Sequence, residues 1–325
     1  MLGTDPGEAA AIINGELDLS HLAELPGRGI GADMIGRMAA LLVEMPIDSA
    51  TWGYRLGSRG SSVARRARGF LAADLDAVEQ IWDDAGFIGA GRQFKVQLAG
   101  PFTLAASVEL ANGHKAIRDR GALRDLIDST AEGLAIHIAE VRRRLGAEVI
   151  VQLDEPMIGA VIDGTLTPLT TLDPIRAIPA ADVAQALTSV VQRVDRPAII
   201  HNCAAPRWDL IEKLPGMAHT VDVSGKKTLS AADLDGIGAL IDRGDVLVAG
   251  TVPTDVEDRF LRAETVATGL AELMDRIGLN RKVLAENVIV TPVCGLAGVR
   301  SAYAKRTLEI CAQAGEFISG DPDAL

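Results

Sequence analysis

His201, Cys203 and Cys294 are the residues whose types and spacing could do chemistry in this chain. His201-Asn202-Cys203 ends an apolar run that begins at Pro197, and Cys294 ends a second run from Asn287. Residues two apart on a strand project to one face, so His201 and Cys203 are expected to point together. An imidazole with two thiolates is a ligand set that suits zinc. Placed on the ends of separate strands, these ligands point to a catalytic ion rather than a structural knot. The competing reading is plain packing, since cysteine commonly behaves as a small buried hydrophobe. Cys311 fits that second role, because it lies at helical spacing with Leu308 on the last amphipathic segment.

These groups must be positioned by alternating elements. Short β-branched runs at Phe94–Leu98, Val149–Leu153, Ala198–Ile200, Thr220–Val223, Val246–Ala249 and Val288–Val293 read as strands. Amphipathic stretches at Ser62–Asp84, Ala122–Leu145, Ala181–Val194, Ala231–Asp242, Val256–Arg276 and Gly298–Ala314 read as helices. Such alternation implies parallel strands joined by crossover helices. The expected architecture is a single-domain (β/α)8 TIM barrel over residues 1–325. Its two weakly marked strands fall near Leu2–Thr4 and His21–Pro26. No G-x-G-x-x-G follows an early strand, which counts against a dinucleotide fold. In a barrel the reactive groups sit at the carboxyl ends of strands. There the sequence offers Gly100-Pro101, Asp154-Glu155-Pro156, His201-Asn202-Cys203, Asp222, Thr251 and Cys294. Adjacent carboxylates on a strand point opposite ways, so one of Asp154 and Glu155 is expected to face the barrel mouth. Asp222 could equally cap the turn that follows it.

Composition narrows the partners. The 325 residues are 48% hydrophobic and carry a net charge of −12, which disfavours nonspecific binding to nucleic acid. No apolar run is long enough to span a bilayer, and the start lacks the pattern of a signal peptide. Three cysteines without an export signal predict a reducing, cytoplasmic setting with no disulfides.

At five motifs the chain resembles the catalytic domain of cobalamin-independent methionine synthase, in the uroporphyrinogen-decarboxylase-like barrel superfamily. They are Val96-Gln97-Leu98-Ala99-Gly100-Pro101-Phe102-Thr103-Leu104, Gln152-Leu153-Asp154-Glu155-Pro156, His201-Asn202-Cys203, Thr220-Val221-Asp222-Val223-Ser224 and Pro292-Val293-Cys294-Gly295-Leu296. The resemblance implies zinc held by His201, Cys203, Asp222 and Cys294, with Asp222 standing where the family has Glu. It implies that Asp154 contacts the amino group of homocysteine, with Glu155 beside it. A zinc-bound thiol loses its proton well below its usual pKa near 8.5 and becomes the nucleophile. The implied activity is methyl transfer to a small thiol, homocysteine by default, from a methylated folate or a methylated corrinoid.

Several positions depart from the family pattern. Arg28 and Ile30 replace acidic groups in Gly27-Arg28-Gly29-Ile30-Gly31-Ala32-Asp33-Met34, and Arg28 suggests an anionic group on the acceptor. Ser107 occupies the place of a Trp near the folate, and Leu247 through Thr254 contains no His for proton transfer. The N-terminal half of the long enzyme is absent too, which tilts the donor towards a corrinoid carried by another protein. The alternative function is a zinc- or thiol-binding barrel with little catalysis, a sensor or accessory protein. Porphyrin decarboxylation is a lesser reading, because that chemistry uses arginines and no metal.

Overall fold

The computed structural model describes residues 3–51, 53–57, 60–225 and 228–325. They fall into two compact units, the first holding residues 3–11 and 19–201 and the second residues 12–18 and 202–325. No described helix is long and apolar enough to cross a membrane.

The first unit contains β1 (Ser20–His21), β2 (Ile47–Ala50), β3 (Gly53–Leu56), β4 (Gln93–Ala99), β5 (Val108–Glu109), β6 (Glu148–Asp154) and β7 (Ala198–His201). Strands β1, β4, β6 and β7 pair in that order, all parallel. The short β2, β3 and β5 form a separate small sheet. Phe94, Val96 and Leu98 on β4 and Val149, Val151 and Leu153 on β6 are buried, one residue in two. This period of two assigns the apolar face of the sheet to the core and leaves Lys95, Gln97 and Gln152 on the other face. Trp82, in the last turn of helix Ser62–Asp84, packs edge-on against both Phe87 and Phe94, and the first turn of that helix is capped by the Ser61 hydroxyl accepting from Ala64 N.

The second unit contains β8 (Ala218–Asp222), β9 (Leu247–Val252) and β10 (Val288–Pro292), again parallel and in chain order. Helices Ala231–Asp242, Ala263–Ile277 and Ser301–Gly320 bury Leu240, Met274 and Leu308 in one core with Leu247 and Ala249. Cys311 belongs to this core, and burial pushes its thiol up to about 12.

The α/β architecture is TIM-barrel-like, with four parallel main strands in the first unit and three in the second among the described residues, against the eight of a closed barrel. The strand expected near Leu2–Thr4 is not formed by Gly3 and Thr4, which lie in a bend; Leu2 is outside the described residues. The strand expected over 21–26 shortens to two residues, because Pro26 opens a 3-10 turn over Pro26–Arg28. The helix expected from Val256 begins at Ala263 instead. The Asp258 side chain accepts from the backbone N–H groups of Phe260 and Leu261, a local turn that competes with helix.

Candidate metal centre

β7 delivers His201 at its carboxyl end, where the burial pattern changes from buried to half-buried. The next residue holds the turn. Asn202 N donates to Thr220 Oγ1 at 2.9 Å, its Nδ2 donates to Ala205 O, and Ala204 N donates to its Oδ1. With Asn202 fixed in this way, Cys203 follows in a defined loop beyond the strand. Cys294 follows β10, which has a register shift between Thr291 and Pro292 that re-aims the strand end. Val293 N still donates to Val252 O, so Cys294 leaves the sheet from an anchored residue.

Gly250 makes this close approach possible within the second unit. A Cβ there would stand 3.1 Å from Val293 Cα, 3.3 Å from Val221 O and 3.5 Å from Asp222 Cα. No sequence signal marked it, because the demand comes from strands on either side.

One ligand atom each from His201, Cys203 and Cys294 lies within 4.8 Å of the others. Zinc–sulfur bonds of about 2.3 Å and zinc–nitrogen bonds of about 2.0 Å put neighbouring ligands of a tetrahedral ion roughly 3.5 Å apart. The three atoms therefore fit a shared ion after side-chain movements of an ångström or less. Cys203 is half-buried and Cys294 exposed, so the group is open to a small molecule. Among the described residues no cysteine is in a disulfide.

Asp222 stands outside this three-residue group. It ends β8, and its Oδ1 accepts from Ser224 N at 3.0 Å and from Ser224 Oγ at 2.7 Å. This is the turn-capping geometry that its position also allowed.

Asp154 and Glu155 diverge. Asp154 pairs in register with His201 and shares its sheet face with Gln152, whose Nε2 donates to Asp154 Oδ1 at 2.7 Å. Glu155 turns the other way and is fully buried. Its carboxylate accepts from Phe102 N at 3.0 Å, Thr103 N at 2.7 Å and Thr103 Oγ1 at 2.7 Å. Those two N–H groups open helix Pro101–Ser107, whose N-cap is Gly100 and has no side chain to offer. Glu155 thus supplies the missing cap from another strand. A Cβ on Gly100 would lie 2.3 Å from its Oε1. The Gly100-Pro101-Phe102-Thr103 and Asp154-Glu155-Pro156 motifs are one structural unit. Burial pushes the Glu155 carboxyl up to about 7, against the downward pull of its three donors.

Arg28 is engaged with the chain itself. Its two terminal nitrogens donate to Asp74 at 2.8 Å each, and its guanidinium stacks 4.6 Å from the Phe70 ring centroid. Arg37 joins the same buried carboxylate at 3.3 Å. Ser107 ends its helix, and its carbonyl accepts from Lys115 Nζ at 3.4 Å.

Residues 8–316 match the family described as cobalamin-independent synthase, catalytic domain, and the chain belongs to that family of methionine-synthase-like methyltransferases. In fold the chain is similar to a B12-independent methionine synthase from Shewanella sp. W3-18-1, solved in complex with selenomethionine. The TM-score is 0.62 at 14% identity, covering 98% of this chain and 89% of that one. A GH113 β-1,4-mannanase matches more loosely, with a TM-score of 0.43 at 10% identity over 99% of this chain and 94% of that one. No curated protein matches the chain.

Proposed function

We propose that this member of the cobalamin-independent synthase family is a zinc-dependent methyltransferase acting on the sulfur of a small amino-acid thiol, homocysteine by default. The observation that carries the reading is the gathering of His201, Cys203 and Cys294 within 4.8 Å, although the two cysteines are 91 positions apart in the chain. Bound there, zinc would lower the acceptor thiol's pKa and present it as a thiolate at neutral pH. His201, Cys203 and Cys294 hold the ion, and Asp222 keeps the adjoining turn through Ser224. Asp154 receives the acceptor's ammonium and orients its sulfur. Glu155 keeps helix Pro101–Ser107 in place beside it. The new sulfur–carbon bond forms as the bond from the methyl carbon to the donor breaks, and the donor leaves with that electron pair. The donor is a methylated folate or a methylated corrinoid on a partner protein.

Metal content tests the reading. Purified wild type is expected to hold one zinc per chain, with Cys203→Ser and Cys294→Ser both losing it and Cys311→Ser keeping it. Full retention in either of the first two variants removes that cysteine from the site. Zinc without turnover, across several thiols and both donor classes, would favour a thiol sensor.

A further inference from the structure

The polar face of the first unit's sheet carries a directed chain of hydrogen bonds. Lys95 on β4 donates from Nζ to Gln152 Oε1 at 2.9 Å, and Gln152 Nε2 donates to Asp154 Oδ1 at 2.7 Å. The strand register fixes this order, since Gln97 pairs with Gln152, Ala99 with Asp154 and Asp154 with His201. An ammonium has donors only, whereas a carboxamide has one acceptor end and one donor end. Lys95 therefore obliges Gln152 to turn its oxygen towards β4 and its amino group towards Asp154. A flipped amide would set donor against donor at one end and acceptor against acceptor at the other.

Lys95 is held in this role by its surroundings. Burial lowers its pKa, while Asp154 and Glu24 support its charge. His21, its register partner on β1, is kept neutral by burial and by the Lys95 charge.

We propose that Lys95 is a positioning residue: through Gln152 it orients Asp154 to receive the ammonium of the acceptor. Recognition of an amine-bearing thiol over the same thiol without an amine then depends on a side chain that touches no substrate. This rests on the reading of Asp154 as the amino-group contact.

The test uses the full chain loaded with zinc and two probes, L-homocysteine and 4-mercaptobutyrate, which keeps the thiol and carboxylate and lacks the amine. Calorimetric Kd values and zinc content are measured for each variant. Wild type should prefer homocysteine by roughly 10- to 100-fold, the range of one hydrogen bond to a charged group. Lys95→Met should shrink that preference below about 3-fold while the 4-mercaptobutyrate Kd and zinc content hold, because only the oriented carboxylate is lost. Lys95→Arg, which also only donates, should restore most of it. Gln152→Leu should match Lys95→Met, and the double variant should add nothing, as expected for members of one chain. Gln152→Leu also serves if Lys95→Met does not fold. A full wild-type preference in Lys95→Met overturns the proposal, as does an equal loss for both probes. No preference in the wild type overturns the role of Asp154 and takes this inference with it. Absent zinc in the wild type marks failure of the metal reading instead.

Discussion

Glu155→Gln replaces a fully buried carboxyl that caps a helix from another element. At neutral charge the two side chains are nearly isosteric, but three donors converge on the Glu155 oxygens. Gln offers one acceptor oxygen and an amino group. The Thr103 hydroxyl can rotate to accept from that amino group, while Phe102 N and Thr103 N are fixed by the helix. One of them is then left without an acceptor in a fully buried site, at a cost of about 2 kcal/mol. The dependence on pH is sharper. The folded carboxyl is raised to about 7 from an ordinary 4.5. A raised pKa gives stability that is fully present below 4.5 and lost as pH rises through 7. Between pH 5 and 8 this loss amounts to about 2 to 3 kcal/mol in the wild type and is absent in the variant. The cost of Glu155→Gln should therefore be largest near pH 5 and fall to nearly nothing at pH 8. Urea midpoints for both proteins across that range measure it, provided the slopes stay equal. The difference between the two proteins is required, because buried His137 works in the opposite direction. Its pKa is lowered by burial to about 3, so its contribution is lost as pH falls. A cost that grows from pH 5 to pH 8 would refute the reasoning, since it would mean that the three donors outweigh burial and hold the charge.

Three further outcomes are expected. Gly250→Ala should weaken zinc binding several-fold with a stability loss of about 1 kcal/mol, because its Cβ would press on Val293 Cα beside Cys294; competition with a chromophoric chelator and a urea titration report the two effects. Asp74→Asn should cost about 3 to 5 kcal/mol by thermal or urea unfolding, as it leaves the buried guanidinium groups of Arg28 and Arg37 without their shared charge. Asp222→Asn should keep zinc with less than about tenfold loss of affinity, because its Oδ1 can still accept from Ser224. Zinc lost entirely from that last variant would make the carboxylate a ligand.

What the sequence disclosed depended on how local the determinant was. Helix Ser62–Asp84 and helix Ala231–Asp242 match their expected spans, because capping residues Ser61 and Ser230 stand directly before them. Six main strands were legible from short β-branched runs with turn residues at their ends. The seventh, Ser20–His21, is too short to have a period. The start of helix Ala263–Ile277 was misjudged because the Asp258 turn competes with an apolar pattern that looks continuous. His201, Cys203 and Cys294 are legible by type as candidate ligands, and the structure brings their ligand atoms within 4.8 Å of one another. Arg28 suggests an anionic acceptor when the sequence is read alone, because its partner, Asp74, is 46 positions away. Lys95, Gln152 and the Gly100 contact were equally invisible, since each acquires its role from strand register.

The peptide bond between Asp154 and Glu155 separates two kinds of work. Successive residues at a strand end face opposite sides, so one carboxylate reaches the polar face that carries His201 and the other reaches a helix N-terminus. The helix start has no cap of its own at Gly100, so it is defined only when β6 is in register with β4. That same register aligns Lys95, Gln152 and Asp154. Loss of Glu155 should therefore lower activity through the helix start, without any contact to substrate, and loss of Asp154 should lower it without a comparable loss of stability. A substitution in this motif is interpretable only when the unfolding midpoint and the acceptor Kd are measured on the same protein.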